Sequence, residues 1–137
     1  MTRAAAVVAV ALLAGCADGD GAERIRLVIP DNNIRTEGVE CSGARPFRQL
    51  HRGTPFTIED AEGEVVADGE LPSGRAENAD PRVDWESDRM PTVCVMELEV
   101  DLPGRSGYRL VLPETAALEF ASEQLDADDP VELVVRG

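Results

Sequence analysis

Three carboxylates occur on alternate residues around the only tryptophan of the chain. Asp84, Glu86 and Asp88 enclose Trp85 and its neighbours, and Asp80 lies a short distance before them. Hard oxygen ligands that lie close together in sequence are what Ca²⁺ requires. A calcium loop also needs a glycine at its sixth position and a glutamate at its twelfth, and the sequence offers neither. We therefore treat these residues as a candidate ligand loop, and a solvated acidic loop with the tryptophan folded against the end of the domain is the simpler interpretation.

A second acidic cluster, Asp126, Asp128 and Asp129, lies near the C-terminus. A solvated turn before the last strand explains it, although two surface loops of one protein can converge in space. No resident metal or cofactor is expected. Cys41 and Cys94 lack the CxxC spacing of a zinc site, and the single histidine does not stand at a metal-ligand spacing from either of them.

The single histidine, His51, could act as a general base because an imidazole titrates near neutral pH. No nucleophile accompanies it: Ser42 and Ser73 lie in turn-like contexts, and a Gly-x-Ser-x-Gly elbow is absent from the sequence. Together with Arg48 and Arg52 it forms a basic group that is either a partner contact or a solvated loop. We therefore expect no enzymatic activity.

The N-terminal segment has the pattern of a signal peptide. Arg3 gives it a positive start, and residues 4–14 contain only alanine, valine and leucine. This run is too short to remain as a membrane anchor, because a spanning helix needs about 20 apolar residues. The residues Leu13-Ala14-Gly15-Cys16 resemble the lipobox of bacterial lipoproteins at every position.

That resemblance implies that the thiol of Cys16 receives a diacylglyceryl group and that the chain is cut before it. The lipid would then hold the protein on the extracytoplasmic face of a cell membrane, since two acyl chains anchor stably where one does not. The implied organisation is a signal helix at 1–15, a flexible tether at 16–23 and a folded domain at 24–137. An ordinary secretory peptide with a cysteine near its cleavage site is the alternative.

Two cysteines, Cys41 and Cys94, follow Cys16. Outside the cytoplasm disulfides persist, so a Cys41–Cys94 bridge is the natural prediction, with two buried free thiols as the alternative. The chain-entropy model gives about 4 kcal/mol of stabilisation for a loop of this length.

The charge balance excludes one class of partner. The chain has 27 acidic and 13 basic residues, a formal net charge of −14, and every basic residue is an arginine. Such a surface repels nucleic acid and attracts divalent cations or basic partners. The absence of lysine, with many alanines, glycines and valines, is typical of high-G+C coding and suggests an actinobacterial source.

The pattern of the folded part predicts short strands separated by proline and glycine turns. Residues of Cys94–Leu102 alternate between apolar and acidic, which places Cys94 on the core side. This pattern predicts an all-β fold, an antiparallel β-sandwich of about seven strands, Ig-like or transthyretin-like, with a small barrel as the alternative. The predicted strands are Arg24–Ile29, Pro55–Asp60, Val65–Gly69, Cys94–Leu102, Tyr108–Leu112, Leu118–Ala121 and Val131–Arg136.

The hairpin over residues 53–69, and Leu102-Pro103 followed by Gly107-Tyr108-Arg109-Leu110, resemble parts of Ig-like or transthyretin-like domains. With Cys41-Ser42-Gly43 before them and Cys94 at the start of the long strand, their order resembles small two-cysteine actinobacterial lipoproteins of unassigned function. That resemblance contributes no functional residues.

The function that these observations favour is a non-catalytic binding or interaction module at the cell surface. Its partner would be a protein, a glycan or a small molecule, touched by loops at one end of the sandwich, including residues 76–92. A structural or assembly accessory of the cell envelope is the alternative, and a hydrolytic enzyme is the third class.

Overall fold

Two β-sheets face each other across one apolar core. The computed structural model describes residues 22–126 and 128–137, and these ranges contain nine strands and a short 3₁₀ helix at Ser122–Asp126. The strands are β1 (Glu23–Thr36), β2 (Glu40–Cys41), β3 (Pro55–Asp60), β4 (Val65–Glu70), β5 (Gly74–Asn78), β6 (Arg89–Val100), β7 (Gly107–Val111), β8 (Leu118–Ala121) and β9 (Val131–Val134).

The strand order of the larger sheet is β2-β5-β6-β1-β9, and that of the smaller sheet is β4-β3-β7-β8. Side chains from both sheets form a single buried cluster between them. The predicted β-sandwich is therefore confirmed. Neighbouring strands are antiparallel with one exception in the described residues, because β9 lies parallel to β1.

The prediction of about seven strands missed β2 and β5. The first has only two residues, and the second has the sequence Gly-Arg-Ala-Glu-Asn, which contains no β-branched or aromatic residue. Strand β5 forms because it pairs with β6, and β2 forms because it pairs with β5, so the tertiary context outweighs weak local preference.

Strand β6 confirms the predicted alternation. Cys94, Met96, Leu98 and Val100 are all buried in the core, whereas Glu97 and Glu99 are exposed. The strand begins at Arg89 and not at Cys94, because its first residues pair with the second half of β1.

Strand β1 was predicted to end before Pro30, and that prediction was wrong. It continues to Thr36 through an irregularity between Ile29 and Asn33, where its register with β6 shifts. Proline has no N–H to donate to the ladder, and a bulge tolerates it because the ladder is interrupted there. The bend carries Asp31 inward, and this carboxylate matters for the site described below.

The β3–β4 hairpin confirms the turn predicted around Gly63, which has a φ of 81°. The buried Asp60 carboxylate closes this turn by accepting the backbone N–H groups of Glu62 and Glu64, each at 3.0 Å. Phe56 and Ile58 lie on the core face, as predicted.

The predicted signal helix at residues 1–15, the lipobox with Cys16 and most of the tether at 16–23 lie outside the described residues. No helix among residues 22–126 and 128–137 has the length and apolar character needed to span a bilayer.

Candidate functional site

A disulfide joins Cys41 in β2 to Cys94 in β6, which confirms the predicted bridge. The Sγ–Sγ distance is 2.04 Å and the Cα atoms are 5.9 Å apart. The bridge crosses over β5, where Gly74 lies opposite Cys41 in the β2–β5 pairing. A Cβ atom at position 74 would overlap the Cys94 Sγ atom, so only glycine lets the bridge cross here.

An open cavity of about 570 Å³ lies beside Cys41. Its walls come from the second half of β1, from β2, from Ser73 just before β5, and from the segment between β2 and β3, which we call the 42–54 loop. The side chains that give it chemical character are those of Asn33, Arg35, Ser42, Arg48, His51 and Arg52. The loop that the sequence identified by Arg48, His51 and Arg52 is thus one wall of a cavity.

The 42–54 loop is fixed to the body of the domain by two apolar side chains. Phe47 and Leu50 are buried in the common core, with 6 % and 0 % of their surface exposed. Arg48, His51 and Arg52 lie beside or between these anchors in sequence and are exposed. The loop therefore presents its basic side chains outward from a packed base.

Hydrogen bonds within the loop complete this fixed shape. Gly43 N–H donates to the Leu50 carbonyl at 2.7 Å, and the buried Thr54 hydroxyl donates to the Gln49 carbonyl at 2.7 Å. Gly43 has no room for a side chain, because an added Cβ would overlap the Phe47 carbonyl oxygen. The conformation of the loop consequently depends on glycine at this position.

A buried ion pair between Asp31 and Arg35 supports the floor of the cavity. Arg35 donates to both oxygens of Asp31, and it also donates to the Ser42 carbonyl at 3.1 Å. Asp31 in turn accepts the backbone N–H of Ala44 at 2.9 Å. Both partners thus connect the bend of β1 to the start of the 42–54 loop.

Burial of Asp31 would raise the pKa of its carboxyl group. The hydrogen bonds from Arg35 and from the Ala44 backbone, together with the positive charge of Arg35, outweigh burial and lower that pKa below its usual value. The Asp31 carboxylate is therefore charged, and Arg35 is largely neutralised by it even though Arg35 lines the cavity.

The charge of this region contrasts with that of the rest of the chain. No aspartate or glutamate occurs from residue 41 to residue 58, although the chain contains 27 acidic residues. Among the described residues, neither Arg48 nor Arg52 forms an ion pair or a side-chain hydrogen bond, whereas Arg26, Arg82 and Arg109 each pair with a carboxylate. An acid-free stretch in an acidic chain was a signal that the sequence analysis did not use.

The ring of His51 approaches the carbonyl oxygen of its neighbour Arg52, with Nδ1 at 2.9 Å. Ser42 and Ser73 line the same cavity, but no hydrogen bond joins either of them to His51 in the described structure. The fold places His51, Ser42 and Ser73 in one cavity. It does not arrange either serine with His51 as a nucleophile and its base.

The candidate ligand loop around Trp85 is more regular at its ends than predicted. Residues 76–78 belong to β5 and residues 89–92 to β6, so the irregular part is limited to 79–88. Trp85 is 36 % exposed, and its Nε1–H donates to the Asn78 side chain at 3.2 Å. The tryptophan therefore closes the loop onto β5.

Two carboxylates of this loop, those of Asp80 and Asp84, accept hydrogen bonds from other residues of the loop. Asp80 accepts two hydrogen bonds from Arg82, which lower the pKa of Asp80, and Asp84 accepts the backbone N–H of Glu86. Asp84, Glu86 and Asp88 are exposed. They do not converge on a common point: within the described ranges, no three His, Cys, Asp or Glu side chains form a group that could hold a metal ion.

In the second acidic cluster, Asp128 and Asp129 are exposed, and the side chain of Asp126 lies outside the description. The cluster is far along the chain from the Trp85 loop, and Asp128 contributes its backbone carbonyl to Arg24 at 3.0 Å. We therefore assign no site to it.

Comparisons of the chain with models of known protein families, with curated proteins and with solved structures found no match.

Proposed function

We propose that this protein is a lipid-anchored extracytoplasmic module that binds a ligand in the cavity beside Cys41 and does not catalyse a reaction. The observation that carries the proposal is the buried Cys41–Cys94 disulfide in a chain whose N-terminus contains Leu13-Ala14-Gly15-Cys16. Disulfides are typical of proteins outside the cytoplasm, and the lipobox resemblance implies the same location.

The position of the cavity supports this proposal. Strand β1 begins at Glu23, close to the tether, and its pairing partner there is Val100 at the end of β6. Asn33 and Arg35, which line the cavity, lie ten or more residues further along the same strand. A strand advances about 3.3 Å per residue, so the cavity lies up to about 30 Å along β1 from the proposed tether, a separation that would leave it accessible on an anchored protein.

The alternative role as an assembly accessory requires an exposed strand edge that accepts another chain. Strand β4 is such an edge of the smaller sheet, and Val65 is exposed on it. The same strand carries Asp68 and Glu70, and charged residues on an edge oppose the addition of a further strand. Of the β4 edge and the cavity, the cavity is therefore the better-supported interaction site.

The test is to express the full chain and its Cys16→Ser variant in a lipoprotein-processing bacterial host with labelled fatty acid. The wild type should incorporate label and sediment with membranes, and Cys16→Ser should do neither. Cys41→Ser is the matched control, since it removes a different thiol and should leave the label in place. Membrane retention without label, or equal labelling of wild type and Cys16→Ser, would overturn the anchoring proposal.

A further inference from the structure

Two arginines without a carboxylate partner among the described residues, Arg48 and Arg52, line the cavity beside Cys41. His51 lines the same cavity. Both arginines lie in a stretch, residues 41–58, that contains no aspartate or glutamate, so no neighbouring side chain in sequence offers them a negative charge. This arrangement indicates a place that is filled by an external negative charge.

We infer that the cavity binds a small oxyanion, the carboxylate or phosphate group of a polar molecule, between Arg48 and Arg52. The inference deepens the proposed function by naming its ligand class, and it does not depend on the lipid anchor. An arginine guanidinium matches both groups because it donates two parallel hydrogen bonds to two oxygens.

The remaining walls fit a polar ligand. Ser42, Ser73 and Asn33 offer neutral hydrogen-bonding groups, and the volume of about 570 Å³ is that of a small-molecule site. Apart from the His51 imidazole, none of the lining side chains is aromatic, so the described cavity has no surface on which a sugar ring would stack. The chemistry is therefore that of a compact anion and not of an apolar or neutral ligand.

The scaffold around these arginines favours binding because it is already in place. Phe47 and Leu50 hold the 42–54 loop in the core, and the Arg35–Asp31 pair holds the start of the loop. A fixed loop loses little conformational entropy when a ligand binds, and that loss is a major cost of association. Arg35 acts here as a positioning residue, because its guanidinium already bonds to Asp31.

One negative side chain, Glu40, also lines the cavity. It is exposed, and no described residue forms an ion pair with it. Coulomb repulsion makes Glu40 an opponent of any bound anion. Glu40→Gln should therefore raise the affinity for the same anionic probe, whereas Arg48→Gln and Arg52→Gln should lower it.

The experiment is calorimetric titration of the purified full chain with inorganic phosphate, glycerol phosphate and citrate at low ionic strength. The double variant Arg48→Gln/Arg52→Gln should bind about tenfold or more weakly, because it removes the charge-assisted hydrogen bonds to the anion. The matched control is Arg24→Gln/Arg136→Gln. It removes the same charge from exposed arginines that do not line this cavity, and its affinity should equal that of the wild type.

Each outcome decides the inference. Binding that falls only in the Arg48/Arg52 variant and rises in Glu40→Gln supports it. Equal losses in both arginine variants would show attraction by overall charge, and no heat with any of the three probes at millimolar concentration would show that the cavity does not take a small oxyanion. Vesicles of phosphatidylglycerol form a separate arm, in which binding to vesicles without binding to glycerol phosphate would reassign the surface to a lipid bilayer and overturn the inference.

Discussion

Asp31 and Arg35 are joined at two points, with Nη1 of the arginine 3.0 Å from Oδ1 and Nη2 2.7 Å from Oδ2 of the carboxylate. The Asp31 side chain is completely buried, and that of Arg35 is 11 % exposed. Because the pair also bonds to Ala44 and to the carbonyl of Ser42, it connects the bend of β1 to the wall of the cavity.

Replacing Asp31 by asparagine should lower the free energy of unfolding by about 3 kcal/mol. The substitution leaves the Arg35 guanidinium with no charged partner in a mostly buried place, and removal of one member of such a pair is strongly destabilising. Urea denaturation measures the change. Asp80→Asn is the control, since it breaks an ion pair with the largely exposed Arg82 and should cost much less. Equal losses in the two variants would contradict the structural role of Asp31.

The same residue makes stability depend on pH in the acidic range. The pKa of Asp31 is lower in the folded protein than its ordinary value of about 3.9, so the folded state holds the charged form more strongly than the unfolded state does. Its contribution is complete above about pH 5 and is lost as the pH falls through the lowered pKa. Unfolding curves at a series of pH values should therefore show less acid destabilisation for Asp31→Asn than for the wild type, and parallel profiles would contradict this.

Loss of the disulfide should destabilise the domain by about 4 kcal/mol, since the bridge closes a loop with a sequence separation of 53 residues. The double variant Cys41→Ala/Cys94→Ala and the reduced wild type should show the same decrease in thermal or urea unfolding. Reductant should have no further effect on the double variant. If the oxidised wild type and the double variant unfold at the same urea concentration, the bridge does not constrain the chain as proposed.

Gly43→Ala should deform the 42–54 loop, because the new methyl group would overlap the Phe47 carbonyl oxygen. We expect lower stability together with weaker binding of phosphate or citrate in the titration described above. Gly104→Ala is the matched control: its added methyl group would meet no atom within 4 Å, so stability and binding should be retained. A Gly43→Ala protein that binds as well as Gly104→Ala would show that the shape of this loop does not matter.

The periodic parts of the fold could be predicted from the sequence. The alternation from Cys94 onward placed the correct side chains in the core, and Gly63 marked the hairpin turn correctly. These signals are local, since a period of two and a turn residue can be recognised within a few positions. Strand β5 could not be predicted in this way, because its formation depends on pairing with β6 and not on its own residues.

The candidate site depended on long-range contacts that no local pattern contains. Pro30 and Asp31 have the composition of a turn, yet the strand bends through them and brings Asp31 against Arg35 and Ala44. The basic residues of the loop were recognised, but their placement in one cavity with Ser42 and Ser73 results from the way β1, β2 and β5 meet. Such a meeting is a property of the tertiary fold.

The course of β1 also determines how the domain would respond to mechanical force. A pull between Glu23 and the cavity acts along the strand, which is hydrogen-bonded to β6 on one side and to β9 on the other. Force in this direction loads the ladder in shear, so many hydrogen bonds resist together and do not open one after another as in unzipping. If the chain is anchored through its N-terminus and holds a ligand in the cavity, a pull between these two points would load the β1 hydrogen bonds together.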